Sequence, residues 1–142
     1  MAKELCFIIC LNVALAFFYY DFSIGMVLHQ DMGNENIIII QKGDNDSEIT
    51  LQKGDVVQIE LEGLGSTGFW WHIDNIDNNH LKLLSEETRV LTDGKTGAPV
   101  FGIWHFKVLE KGYTEIKMDY YRKWEGIQQA KDTFFLKLRI NE

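Results

Sequence analysis

Short apolar runs that alternate every second residue, each closed by turn residues, recur along this chain, and no long stretch repeats at the 3.6-residue spacing of an amphipathic helix. In residues 56–62, Val57, Ile59 and Leu61 alternate with Gln58, Glu60 and Glu62, the pattern of a strand with one buried and one wet face. Trp104, Phe106 and Val108 alternate with His105 and Lys107; Ile116, Met118 and Tyr120 alternate with Glu115, Lys117 and Asp119. The last such run sets Phe134, Leu136, Leu138 and Ile140 against Phe135, Lys137 and Arg139. Residues 37–40, 48–51 and 69–73 add β-branched and aromatic runs, while 81–84 and 89–91 are apolar pieces too short to assign. Turns are read at residues 43–46, Lys53-Gly54-Asp55 and Lys111-Gly112. About six to eight short strands with turns between them predict an all-β sandwich or barrel.

The first 25 residues differ from this pattern. Lys3 precedes an apolar run over residues 5–20, broken only by Asn12, and the small residues Ser23-Ile24-Gly25 follow. The run is shorter than the roughly 20 residues of a membrane-spanning helix. Residues 1–25 are therefore read as a signal peptide cleaved near Gly25, with an uncleaved anchor as the alternative, and 26–142 as one domain. The expected destination is the exterior, a periplasm or an endomembrane lumen, or a membrane surface if the leader is retained. Both cysteines, Cys6 and Cys10, fall in the leader, so the domain is expected to have no disulfide, no cysteine nucleophile and no thiolate metal site. A net charge of −7 without a basic cluster argues against nucleic acid and against an anionic membrane surface.

Three segments are not explained by strand alternation. Leu64-Gly65-Ser66-Thr67-Gly68-Phe69-Trp70-Trp71 brackets two hydroxyls with glycines, leaving room for positive φ. Gly94-Lys95-Thr96-Gly97-Ala98-Pro99-Val100-Phe101 carries small residues and the only proline. Tyr121-Arg122-Lys123-Trp124-Glu125-Gly126 leaves a strand with Arg and Trp, residue types enriched at binding hot spots, near its tip. In an immunoglobulin-like strand order these segments join the second to third, fourth to fifth and sixth to seventh strands, and such loops gather at one end of the sandwich.

With these segments in place, the chain resembles the chagasin family, immunoglobulin-like inhibitors of papain-type cysteine proteases. Leu61-Glu62-Gly63 followed by Leu64-Gly65-Ser66-Thr67-Gly68-Phe69-Trp70-Trp71 is similar to the family's Leu-x-Gly strand end and Asn-Pro-Thr-Thr-Gly-Tyr-x-Trp loop. Gly97-Ala98-Pro99-Val100, leading into Trp104-His105-Phe106, stands where the family has Gly-x-Gly-Gly before an aromatic strand. Tyr120-Tyr121-Arg122-Lys123-Trp124 is similar to Tyr-x-Arg-Pro-Trp. The three motifs occur in family order without gaps between the second and third, and the likeness covers about residues 48–140. Leu64-Gly65 replaces Asn-Pro, Val100 the last glycine and Lys123 the proline, changes expected to loosen the loops and raise the entropy cost of docking.

With a monomer as the default expectation, the resemblance implies an immunoglobulin-like β-sandwich of about seven to eight strands that needs no cofactor and whose partner is a papain-type cysteine protease. It also implies a protease-binding set: Ser66, Thr67, Gly68 and Phe69 at the catalytic centre, Gly97, Ala98, Pro99 and Val100 on the unprimed side, and Arg122, Lys123 and Trp124 on the primed side. Trp104 and Phe106 are read as core from their alternation, and the resemblance implies that Trp71 is the family's core tryptophan. Arg122 has a second reading as a surface charge beside Glu125, and Thr67 as a turn hydroxyl. His29, His72, His80 and His105 lack metal-ligand spacing, and Asp44-Asn45-Asp46 with Glu48 reads as a solvated turn that contains the sequon Asn45-Asp46-Ser47. The chain is read as no enzyme. The alternative function is an immunoglobulin-like adhesion or carbohydrate-binding module, which would place its aromatics on a sheet face instead of a loop edge.

Overall fold

The computed structural model describes residues 36–90 and 100–142; the leader and residues 91–99 lie outside them. Period-two alternation builds eight strands: β1 (Ile37–Gln41), β2 (Ser47–Gln52), β3 (Val56–Gly63), β4 (Phe69–Asn75), β5 (Leu81–Val90), β6 (Val100–Val108), β7 (Gly112–Arg122) and β8 (Asp132–Asn141). They form two four-stranded sheets, ordered β1-β3-β6-β5 and β2-β8-β7-β4, with short 3-10 turns as the only helical elements among the described residues. This is an immunoglobulin-like sandwich.

Cross-strand register brings the apolar faces together. In the first sheet Val57 pairs with Phe106 and Ile59 with Trp104; in the second Ile116 pairs with Leu136 and Met118 with Phe134, and all eight side chains are fully buried. Burying each large apolar side chain stabilises the fold by about 1.5–3 kcal/mol before chain entropy is counted. Trp104 lies across the site a side chain at Gly102 would occupy, so only glycine fits beside that ring.

The opening strand changes sheets. β1 runs parallel to β3, and after the turn at 42–46 β2 runs parallel to β8 in the other sheet. The acidic turn is the hinge of this crossover. Asp46 sits at a φ of 62°, its N–H donates to the Phe135 carbonyl (2.8 Å), and the Phe135 N–H donates to Asn45 Oδ1 (2.8 Å). Lys42 Nζ adds an ion pair to Asp132 (2.8 Å). Because the opening strand is split, the three special segments join the third to fourth, fifth to sixth and seventh to eighth strands, one later than expected.

One open assignment is resolved and one expectation is corrected. The pieces at 81–84 and 89–91 belong to one edge strand as far as Val90, and a bulge between Leu83 and Ser85 turns Leu84 outward and breaks the alternation. Glu60, expected on a wet face, is only 8% exposed. Its carboxylate accepts hydrogen bonds from Gln58 Nε2 (2.7 Å) and Arg89 Nη2 (3.2 Å), which lie over it on the outer face of the sheet. The three described histidines make structural contacts: His105 bridges Ser85 (2.9 Å) and Gln58 (3.0 Å), and the His72 ring packs tilted against Tyr121. His80 Nδ1 is bonded to Asp77 (2.7 Å), and this bond holds the Asp77 carboxyl below its ordinary range.

Candidate functional site

Strand register decides where the three segments emerge. Gly63 at the end of β3 and Val90 at the end of β5 both pair with Val100 at the start of β6. In the other sheet Phe69 at the start of β4 pairs with Arg122 at the end of β7. All five residues therefore belong to one end of the sandwich. Segments 64–68 and 123–131 leave from it, as do the strand ends flanking 91–99. Gly97, Ala98 and Pro99 lie outside the described residues; Val100 is half-buried at the head of β6.

The first loop is closed by its own hydrogen bonds. The Leu64 N–H donates to the Tyr120 hydroxyl (2.9 Å), and residues Gly65–Thr67 make one 3-10 turn. Thr67 donates to the Leu64 carbonyl from both its N–H (2.9 Å) and its hydroxyl (2.6 Å). Gly68 follows at a φ of 77°, and the Trp124 ring occupies the space a side chain there would need. Two reasons thus require glycine at this point. Phe69 stacks on Tyr120 with ring centres 5.5 Å apart. Trp71 is buried 4.9 Å from the same tyrosine and donates from Nε1 to the Glu62 carbonyl (2.8 Å). Trp70 is half-buried, seated over Gly63 with its ring centre 6.2 Å from Trp104.

The third segment turns back at once. The Glu125 N–H donates to the Arg122 carbonyl (2.9 Å), Gly126 adopts a φ of 82°, and the Lys131 N–H returns to the Tyr120 carbonyl (2.8 Å). Trp124 is left 70% exposed at the tip, beside exposed Lys123. Arg122 joins the two loops. Its Nε donates to the Thr67 carbonyl (2.9 Å), its Nη1 to Glu125 (3.0 Å), and its guanidinium lies 4.4 Å from the Phe69 ring centre and 5.9 Å from that of Trp124.

The structure thus brings Thr67, Gly68, Phe69, Arg122 and Trp124 into mutual contact, with Ser66 exposed on the same turn. Leu64, 53% exposed, adds an apolar group at its base. Sequence reasoning missed Tyr120 as the anchor of this site. The available signal was a tyrosine ending the inward-facing series Ile116, Met118, Tyr120, an apolar ring with a polar tip that needs a partner. Chemically the edge offers backbone, an aromatic plate and small residues: it can fill and stack.

Fold and edge together define a sandwich module that carries a preformed loop surface at one end. A sequence profile of the chagasin family peptidase inhibitors (I42) matches residues 50–138, and the chain belongs to that family. Among solved structures it is similar to the cysteine protease inhibitor EhICP2 from Entamoeba histolytica, at 23% identity and a TM-score of 0.69, covering 76% of this chain and 98% of that one. It is also similar to Amebosin (23%, TM-score 0.57, 75% and 98% covered) and to PbICP-C, solved in complex with falcipain-2 (18%, 0.52, 75% and 91%). At these identities the structural likeness concerns the fold. Comparison with curated proteins found no match.

Proposed function

We propose that this protein is a reversible, tight-binding inhibitor of papain-type cysteine proteases that acts as a monomer from outside the cytosol. Residues 66–69 enter the catalytic centre, residues 97–100 run along the unprimed side, and Trp124 stacks on the primed side with Lys123 at its flank. What supports the reading is one junction: an exposed tryptophan lying on Gly68, next to a loop tied down by Arg122. The family match supports the inhibitory role, and the structural neighbours include a cysteine protease inhibitor and one solved with falcipain-2.

Binding by such an edge gains from order already present. The loop lacks the family's Asn-Pro, yet the Tyr120 hydroxyl, the Thr67 hydroxyl and Arg122 hold it before any partner arrives. Less entropy then remains to be lost on docking. The adhesion or carbohydrate-binding alternative calls for aromatics on a sheet face. Tyr113, 71% exposed on β7, is such a residue, but the Arg139 guanidinium lies over its ring. Trp124 stands instead at the loop edge, as an inhibitor requires. A hot-spot tryptophan contributes about 2 kcal/mol or more. Trp124→Ala should therefore raise the papain inhibition constant by at least about tenfold. An unchanged constant removes Trp124 from the contact.

A further inference from the structure

We infer that Arg122 is a positioning residue that keeps the Thr67–Gly68 peptide bond from being cut by the protease it blocks; this rests on the reading above that the bond lies at the catalytic centre. A loop in that position is in danger of becoming a substrate. In the cleavage reaction the protease thiolate adds to the Thr67 carbonyl carbon while the carbonyl oxygen takes up charge against the enzyme's own donors. The Gly68 nitrogen leaves with a proton from the imidazolium, and water then hydrolyses the thioester, freeing the Thr67 carboxylate and restoring the thiol. The first step needs the oxygen free and aligned with those donors.

In this chain that oxygen already has a partner. Arg122 Nε donates to it at 2.9 Å, and the guanidinium cannot easily follow a moving loop. Glu125 holds its Nη1 at 3.0 Å, and the rings of Phe69 and Trp124 lie against it. Its backbone belongs to β7, whose register with Phe69 on β4 fixes the loop's exit. Gly68, the residue that would supply the leaving nitrogen, is at a φ of 77°, far from the negative φ of an extended peptide, and the Trp124 ring lies against it. Turning the Thr67 carbonyl toward an enzyme would break a charge-assisted bond and displace two packed rings.

The test follows the intact chain in a mixture with papain by mass spectrometry. Wild type should stay whole. Arg122→Ala should lose whatever inhibition it starts with as fragments ending at Thr67 and beginning at Gly68 accumulate, at least about tenfold faster than in wild type. Arg122→Lys, which keeps the charge but not the fork, should fall between. Arg122→Ala that stays whole and inhibits like wild type, or is cut only elsewhere, overturns the inference. If Arg122→Ala fails to fold, Glu125→Ala serves in its place: slower cutting at the same bond supports the inference, and an intact chain overturns it. Digestion by subtilisin separates the two claims. Faster nicking of residues 64–69 in Arg122→Ala supports the loop clamp even if wild type fails to inhibit papain, an outcome that would remove the inhibitor reading alone; equal nicking overturns the clamp.

Discussion

Tyr120 shows how one side chain sets the site's geometry from beneath. Its ring lies between Phe69 and Trp71, and its hydroxyl accepts the Leu64 N–H at the mouth of the first loop. Tyr120→Phe keeps both ring contacts and removes only that acceptor. Leu64 is exposed, so water can take over its N–H, and the unfolding midpoint should barely move. The loop, however, loses one of its ties, so inhibition should weaken by about fivefold, the equivalent of one neutral hydrogen bond of about 1 kcal/mol. A matched pair of urea melts and inhibition constants checks this; a large loss of stability with unchanged inhibition would place the role of Tyr120 in the core. Trp104 and Phe106 were legible as core because alternation reports which face is buried, and Trp71 was legible through the family resemblance. The anchoring role of Tyr120 and the bond from Arg122 to the Thr67 carbonyl were not, because these partners are 56 and 55 residues apart. Periodicity carries no information about such contacts.

Among the elements, the split opening strand is the feature that pattern reading under-described. Residues 37–40 and 48–51 were both legible as strands, but their alternation does not distinguish parallel edges of opposite sheets from other pairings. The distinction is made by Asn45 and Asp46, which bond to the backbone of Phe135 on β8. Asn45→Ala removes the acceptor of the Phe135 N–H in a half-buried position, at a cost of about 1–3 kcal/mol. The expected result is a lower denaturant midpoint with an unchanged slope, since the surface exposed on unfolding stays the same. An unchanged midpoint would mean that water replaces the side chain there. β5 failed to read as one strand for a different reason: its bulge at Leu84 shifts the phase of the alternation midway.

Across the whole molecule, a core of paired inward faces holds two sheets rigid, and the connections at one end are free to carry function. The anomalies at 64–69 and 121–126 were legible in an otherwise alternating sequence and meet at one end, the loop edge, while that at 94–99 lies outside the described residues; the profile match places the chain among peptidase inhibitors. The internal bonding of that edge came only with the fold. Its use as the contact surface is the proposal on which everything else depends. Hydrogen exchange of the protein with and without papain, its catalytic cysteine blocked, measures that use directly. The amides of residues 64–69 and 122–126 should become protected in the complex, while the outer strands of both sheets stay as they were. Protection confined to the outer face around Tyr113 and Lys137, with the loop amides unchanged, would contradict it.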